Sequence, residues 1–368
     1  LPYSTDVFVI GGGPAGLAAA IAARQQGLSV TVADGATPPV DKPCGEGLMP
    51  DAIPALEQLG IHFRSNECHP FNGVRFFAAG LAAHAPFPSR CGLGVRRTTL
   101  HRIMVERAAL LGTNLLWGTP VLGICAEGVS LGDRTITAKW IVGADGSNSR
   151  VRRWCNLEWR SGTNPRYAFR SHYRAAPWSD HMEIYWGPES QIYLASVSDD
   201  QVCVGLMSHN PKLRLQDALR SYPELEARLR GAEIASVERG SISANRTLKR
   251  VWRGNVALVG DASGTVDAIT GEGLGLAFSQ AVALAACLKS GNLAPYQVEH
   301  RRLSRRPLLM ARLMLMLDGR PVLQRRTLQA FRGRPEIFRR FLALHVGDLS
   351  PLRMAVDGLT LGWGLLTA

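Results

Sequence analysis

Two textures of hydrophobic and polar positions divide the chain. Apolar runs at 6–10, 30–33, 140–144 and 255–259 each end on glycine or an acid, as buried parallel strands do. Between the first two, residues 14–26 carry the Ala/Leu/Ile spacing of a helix, with Pro14 in its first turn. Leu100, Ile103, Met104, Arg107 and Leu111 share helical spacing, with Thr98 or Thr99 as N-cap, and Asp51 caps a short helix through Leu59. An Ala-rich helix runs from the glycines at 271–275 to Lys289. The second texture, between 160 and 243, is β-like alternation at 166–174, 181–186, 191–197 and 201–207, which predicts an antiparallel sheet. Strand-like alternation also occurs at 73–78 and 82–87, and residues 295–368 are Arg-rich and helical in pattern.

These textures predict an α/β protein with a Rossmann-type domain that the chain leaves and re-enters. Its parts are residues 1–159, a β-sheet substrate domain at 160–249, a return at 250–294 and a helical region at 295–368. In the first unit Gly11 permits a tight turn, Gly13 lets backbone approach a pyrophosphate at a helix N-terminus, and Gly16 lets helix and sheet pack closely. Pro14 and Ala15 open that helix. Asp34 ends the next strand about 20 residues on, where an acid binds an unphosphorylated ribose, hence FAD or NAD. The alternative is a glycine-rich loop with Asp34 as a turn residue. The Pro/Gly-rich loop 35–50 is long for a compact domain and is a candidate to lie over a ligand; otherwise it is a plain crossover.

The net charge of +12 raises the question of nucleic acid or an anionic membrane, but no nucleic-acid motif accompanies it. Arginines 301, 302, 305 and 306 precede an apolar run at 307–317, which admits weak membrane-surface association. No stretch is expected to span a bilayer and no signal-like segment opens the chain, so the expected localisation is cytoplasmic. Seven cysteines without CxxC spacing argue against a disulfide framework and a zinc site; no metal is expected.

Three separated signatures, Gly11-x-Gly13-x-x-Gly16 with Asp34, Gly143-Ala144-Asp145-Gly146 and Gly260-Asp261-Ala262, together resemble the FAD-dependent monooxygenase superfamily over about four-fifths of the chain. That superfamily includes aromatic hydroxylases, flavin halogenases and geranylgeranyl reductases. The resemblance implies non-covalent FAD, with Asp34 on the adenosine ribose, Arg97 near the phosphates, and Val121 among the contacts. Asp145 and Gly146 would serve both FAD and a transient NADH or NADPH donor. Asp261 would bind the ribityl or pyrophosphate part, and the amides around Gly271, Glu272, Gly273 and Leu274 would face the pyrimidine edge.

Thr-Gly-Glu-Gly at 270–273 and Lys42-Pro43-Cys44-Gly45-Glu46-Gly47 look more like the geranylgeranyl reductase branch, and Cys44, Gly45 and Glu46 are its candidate catalytic residues. Its Tyr-x-Trp-x-Phe-Pro motif is absent. So are the Trp-x-Trp-x-Ile-Pro motif of halogenases and the His and Pro pair that hydroxylases carry after Gly-Asp-Ala. The leading expectation is an NAD(P)H-dependent monooxygenase hydroxylating a hydrophobic natural-product-like small molecule, with Tyr185, Trp186 and Tyr193 lining its pocket. Reduction of a prenyl or lipid C=C bond is the alternative, a halogenase or a non-catalytic flavoprotein less favoured, and the oligomeric state is open.

Overall fold

The computed structural model describes residues 4–158 and 165–349. Its first sheet orders the strands Trp252–Arg253, Val256–Leu258, Thr135–Gly143, Ser4–Ile10, Val30–Ala33 and Asn114–Leu116, and all but the first are parallel. Val7 and Val9 point to one core and Phe8 and Ile10 to another, so both faces are covered and the strands read as continuous apolar runs. Pairing sets Ile10 opposite both Ala33 and Gly143, and Gly143 opposite Leu258. The three sequence signatures and Asp34 therefore leave the sheet at one carboxyl edge.

The helices Pro14–Gln25 and Gly273–Ser290 pack on each other across the face of this sheet. Among the described residues Gly273–Ser290 is the one helix long and apolar enough to cross a membrane by length and composition, contrary to the expectation that no stretch would be. Phe278, Ala281 and Leu284 are fully buried, which makes it a core helix.

The second sheet has seven strands in the order Arg239–Ser243, Arg166–Arg174, Gln201–Ser208, Ser190–Ser198, His181–Trp186, Gly73–Ala78, Leu81–Pro86. The four alternating runs at 166–207 are joined by the hairpin 73–86, which pairs parallel to His181–Trp186 although it lies within 1–159 in sequence. One face packs under the helices Leu215–Leu219 and Pro223–Leu229; the other receives Pro321–Gly333 and Pro335–His345. The segment 350–368, predicted with the helical region, lies outside the described residues.

Two local predictions were wrong, for the same reason. The helix Arg97–Leu110 has Arg96, not Thr98 or Thr99, at its N-cap and no side-chain cap of its own. Asp51 sits in a 3-10 turn and pairs with Arg306 instead of capping Ile53–Leu59. In both cases a partner remote in sequence outcompetes the local cap.

Candidate active site

A cavity of about 650 Å³ runs from the carboxyl edge of the first sheet to the inner face of the second. At its first end the three glycines of the turn sit in different surroundings. Gly11 has φ +109°, and a side chain at Gly16 would run into the Gly11 carbonyl, while a Cβ on Gly13 would meet nothing within 4 Å. The Gly12 N–H donates to Asp34 Oδ2 at 2.7 Å, and the Ala36 N–H donates to Oδ1 at 2.8 Å, so the carboxylate is fixed beside the turn. His101, fully buried, donates from Nε2 to the Gly12 carbonyl at 2.9 Å.

Asp145 has a second task that the sequence did not show. Its Oδ2 accepts from the N–H groups of Arg150 and Val151 at 2.6 and 3.1 Å, at the start of the helix Arg150–Trp154. Its Oδ1 is buried without a partner on the cavity wall. Asp261 lines the cavity, and desolvation by the surrounding protein raises its carboxyl above the usual range against the pull of Arg97, Lys42 and Arg152. The turn that carries it is held from behind: Gly260 N–H donates to Gln280 Oε1, Ser263 Oγ donates to Gly260 O, and His300 Nε2 lies 2.8 Å from Ser263 Oγ.

The loop 40–50 lies over this end. Cys44 lines the cavity, and burial pushes its thiol up, so it is held as S–H at neutral pH. A side chain on Gly45 would press on the Tyr193 ring. Glu46, with φ +57°, turns its carboxylate into a buried hub. Its Oε1 accepts the Arg97 N–H at 2.9 Å, which replaces the missing helix cap, and Oε2 accepts from His172 Nε2 at 2.6 Å. His172 Nδ1 faces Ser236 Oγ and Arg170, and Arg170 reaches Asp41 and the Lys42 carbonyl. Burial lowers the His172 pKa. Glu46, His172 and Cys203 hold donor atoms within 4.8 Å of one another, but Arg96 and Arg170 beside them already supply positive charge.

A second buried cluster backs the loop 270–274. Arg306 pairs with Asp51 and lies 3.3 Å from Glu272 Oε1, and His345 donates from Nε2 to the Thr270 carbonyl at 3.1 Å. Burial and the nearby Asp51 push Glu272 up to about 8, and burial pushes His345 down to about 4, so both are neutral near pH 7. Arg306 and His345 belong to C-terminal helices, and neither was singled out as a site residue from sequence.

The far end of the cavity is walled by Val74, Phe76, Met182 and Ile184 from the second sheet and by Met310, Met314, Phe338, Phe341 and Leu342 from the C-terminal helices. Of the three predicted pocket residues only Tyr193 lines it. Tyr185 and Trp186 are adjacent on one strand, and side chains alternate faces, so they cannot share a wall. Tyr185 lies on the opposite face, stacked on Phe77 and donating to Glu183 Oε2 at 2.6 Å. Trp186 is on the cavity face but is covered by Phe76, at 4.6 Å between rings.

This arrangement, three carboxyl-edge turns converging on one cavity closed by a second sheet, defines a dinucleotide-binding flavoprotein fold with an apolar chamber. Residues 4–291 match the FAD binding domain family, and the chain belongs to it. The menaquinone reductase of Mycolicibacterium smegmatis is 29% identical over 319 residues, 79% of this chain and 78% of that protein. A digeranylgeranylglycerophospholipid reductase of Methanococcus vannielii is 27% identical, covering 81% and 80%. The 6-methylpretetramide 4-monooxygenase of Streptomyces rimosus is 27% identical, covering 76% and 74%. Among solved structures, a flavoprotein/dehydrogenase from Cytophaga hutchinsonii shares the fold with a TM-score of 0.80 at 19% identity, covering 94% and 93%. The protein is an FAD-dependent oxidoreductase by family. The residues present fit FAD: Arg97 Nε and Asp145 Oδ1 are buried polar atoms without a protein partner, and Gly13, Gly146 and Gly273 leave room where a Cβ would meet nothing within 4 Å.

Proposed function

We propose that the protein reduces a carbon–carbon double bond of an isoprenoid-type lipid, with NADH or NADPH as electron donor and FAD held non-covalently. The observation that carries this reading is the apolar cluster at the far end of the cavity, where Val74, Phe76, Met182 and Ile184 face Met310, Met314, Phe338, Phe341 and Leu342, a lining suited to a hydrocarbon chain. The relatives named as menaquinone and digeranylgeranylglycerophospholipid reductases support the same substrate class. FAD, when bound, supplies the two-electron reduction.

The chain's own residues do the rest. Arg97, at the start of its helix, neutralises phosphate, Asp34 fixes the ribose, and Asp145 Oδ1 and Asp261 supply acceptors for hydroxyls. The 270–274 loop presents its amides under the clamp of Arg306 and His345. Reduction of a double bond also requires a proton at the second carbon. Cys44 Sγ and Tyr193 Oη, both kept protonated by burial, border the point where the polar and apolar ends meet. An apolar wall disfavours water there, and these two side chains are the proton donors the reading assigns.

Hydroxylation of a hydrophobic small molecule, the leading expectation from sequence, is the second reading, and the monooxygenase relative favours it. Turnover of a menaquinone or prenyl lipid with NADH or NADPH under strict anaerobiosis tests the choice. A saturated product formed at an undiminished rate supports reduction. Dependence of substrate conversion on oxygen, with one oxygen atom gained, supports the second reading instead.

A further inference from the structure

The helix Ala294–Leu317 has two faces in different surroundings. Met310 and Met314 point inward and line the cavity. On the outward side Val298, Arg302, Arg305, Leu309, Arg312 and Met316 succeed one another at steps of four and three, which places them on one stripe along the helix. Val298, Leu309 and Met316 are 70%, 37% and 53% exposed. Beyond the following turn, Arg320 and Arg325 are exposed and Val322 is 65% exposed.

Charge is concentrated on the same region. Residues 294–349 contain twelve arginines, no lysine and four acidic residues, which accounts for eight of the chain's twelve net positive charges. Arg302 pairs with Glu299, while Arg305 and Arg312 have no partner among the described residues. A solvated charged face needs no large apolar side chains, and a protein-facing stripe has little use for two unpaired guanidinium groups. Interleaving of the two is what the boundary between anionic headgroups and acyl chains complements.

We propose that this stripe docks the protein on a bilayer surface rich in anionic phospholipid, with Arg305 and Arg312 on headgroup phosphates and Val298, Leu309 and Met316 in the acyl boundary. The inward face of the docked helix is a wall of the apolar chamber, so the chamber lies about one helix diameter, ~10 Å, from the membrane. The docking does not depend on which reaction the chamber performs.

The test is co-sedimentation of the full-length, FAD-loaded protein with phosphatidylglycerol/phosphatidylcholine vesicles and with pure phosphatidylcholine vesicles. Binding to the anionic vesicles alone is expected, and Arg305→Glu/Arg312→Glu lowers it at least about twentyfold, at about fivefold per arginine removed. Leu309→Asp/Met316→Asp weakens it about tenfold or more. Circular dichroism and flavin absorbance check that these surface variants remain folded and loaded. Absence of vesicle binding, equal binding to neutral vesicles, or indifference to both variants overturns the proposal. So does loss of binding in Trp363→Asp/Leu365→Asp with the stripe variants unaffected, which would put the contact in residues 350–368. Tighter binding to RNA than to vesicles, sensitive to the arginines but not to Leu309 and Met316, would replace the membrane with nucleic acid. Sedimentation is read without turnover, so failure of the reductase reading leaves this result standing.

Discussion

His172 Nε2 lies 2.6 Å from Glu46 Oε2, and the two side chains, 126 positions apart in sequence, are both buried. This pair fastens the loop over the cofactor cavity to the second sheet, while the other Glu46 oxygen holds the first amide of the helix that carries Arg97. Loop, sheet and the helix that opens with Arg97 are thus tied to one carboxylate. Glu46→Ala removes the tie and leaves Arg170 and His172 buried with one acceptor fewer. The expected loss is about 3–5 kcal/mol in urea unfolding, as for other broken buried pairs, together with weaker FAD binding by fluorescence titration. A stability within about 1 kcal/mol of the parent would contradict the hub.

Gly13 and Gly16 separate binding from folding. Gly16→Ala drives a methyl group into the Gly11 carbonyl and is expected to destabilise the apoprotein by more than about 2 kcal/mol. Gly13→Ala meets no protein atom within 4 Å, so the apoprotein keeps its stability to within about 1 kcal/mol, while FAD binding is expected to weaken on the proposal that the pyrophosphate approaches this turn. Thermal melts of both apoproteins, followed by FAD titration of Gly13→Ala, check the contrast.

The two tyrosines make a matched pair. Tyr193→Phe removes a hydroxyl from the cavity wall and is expected to lower kcat about tenfold or more, with the fold intact. Tyr185→Phe breaks the bond to Glu183 on the other face, with an expected loss of about 1–3 kcal/mol in stability and unchanged kcat. Reversal of these effects would mean that the assignment of strand faces is wrong.

Cys44 is expected to resist iodoacetamide at pH 7.5 in the apoprotein, because burial raises its thiol pKa, whereas exposed Cys91 and Cys125 react. Peptide mapping reads the order of labelling. Cys44 labelled first would show a thiolate and remove it as a proton source.

The stability of the apoprotein should be greatest near pH 6.5. Burial pushes His300 and His345 down to about 4, so between about 6.5 and 4 the unfolded chain takes up protons that the native state refuses, and stability falls as pH falls. Glu272, pushed up to about 8, does the reverse: the native state keeps a proton that the unfolded chain has lost, and stability falls as pH rises toward 8. Below pH 6.5 two histidines outweigh one glutamate. Each side should then slope by roughly 1.4 kcal/mol per pH unit. Urea melts at pH 5, 6.5 and 8 check this, and Glu272→Gln should flatten the alkaline side and steepen the acid side to roughly 2.7 kcal/mol per pH unit.

Much of the cofactor half was legible because it is local. A buried parallel strand, a glycine turn and a helix are written within about thirty residues, and the sheet then aligns any strands that end in the same way. The apolar runs that end at Gly11, Asp34, Asp145 and Asp261 meet at one edge, as their patterns predicted. The β-texture from 166 to 207 likewise announced its sheet. Alternation alone could not say which face would become a wall, so Tyr185 and Tyr193 looked equivalent until register and the covering helices set them on opposite sides.

What the amino-acid order determined by itself is therefore the class: an FAD-type nucleotide site on a parallel sheet, attached to an antiparallel one, since periodicity and glycine placement act over a few residues. The tertiary structure alone decided that Glu46 meets His172, that Arg306 and His345 brace the 270–274 loop, and that C-terminal helices close an apolar chamber. Those outcomes depend on segments more than thirty residues apart burying their surfaces together, and a helix facing core on one side and arginine-studded solvent on the other carries no local mark of what it will cover.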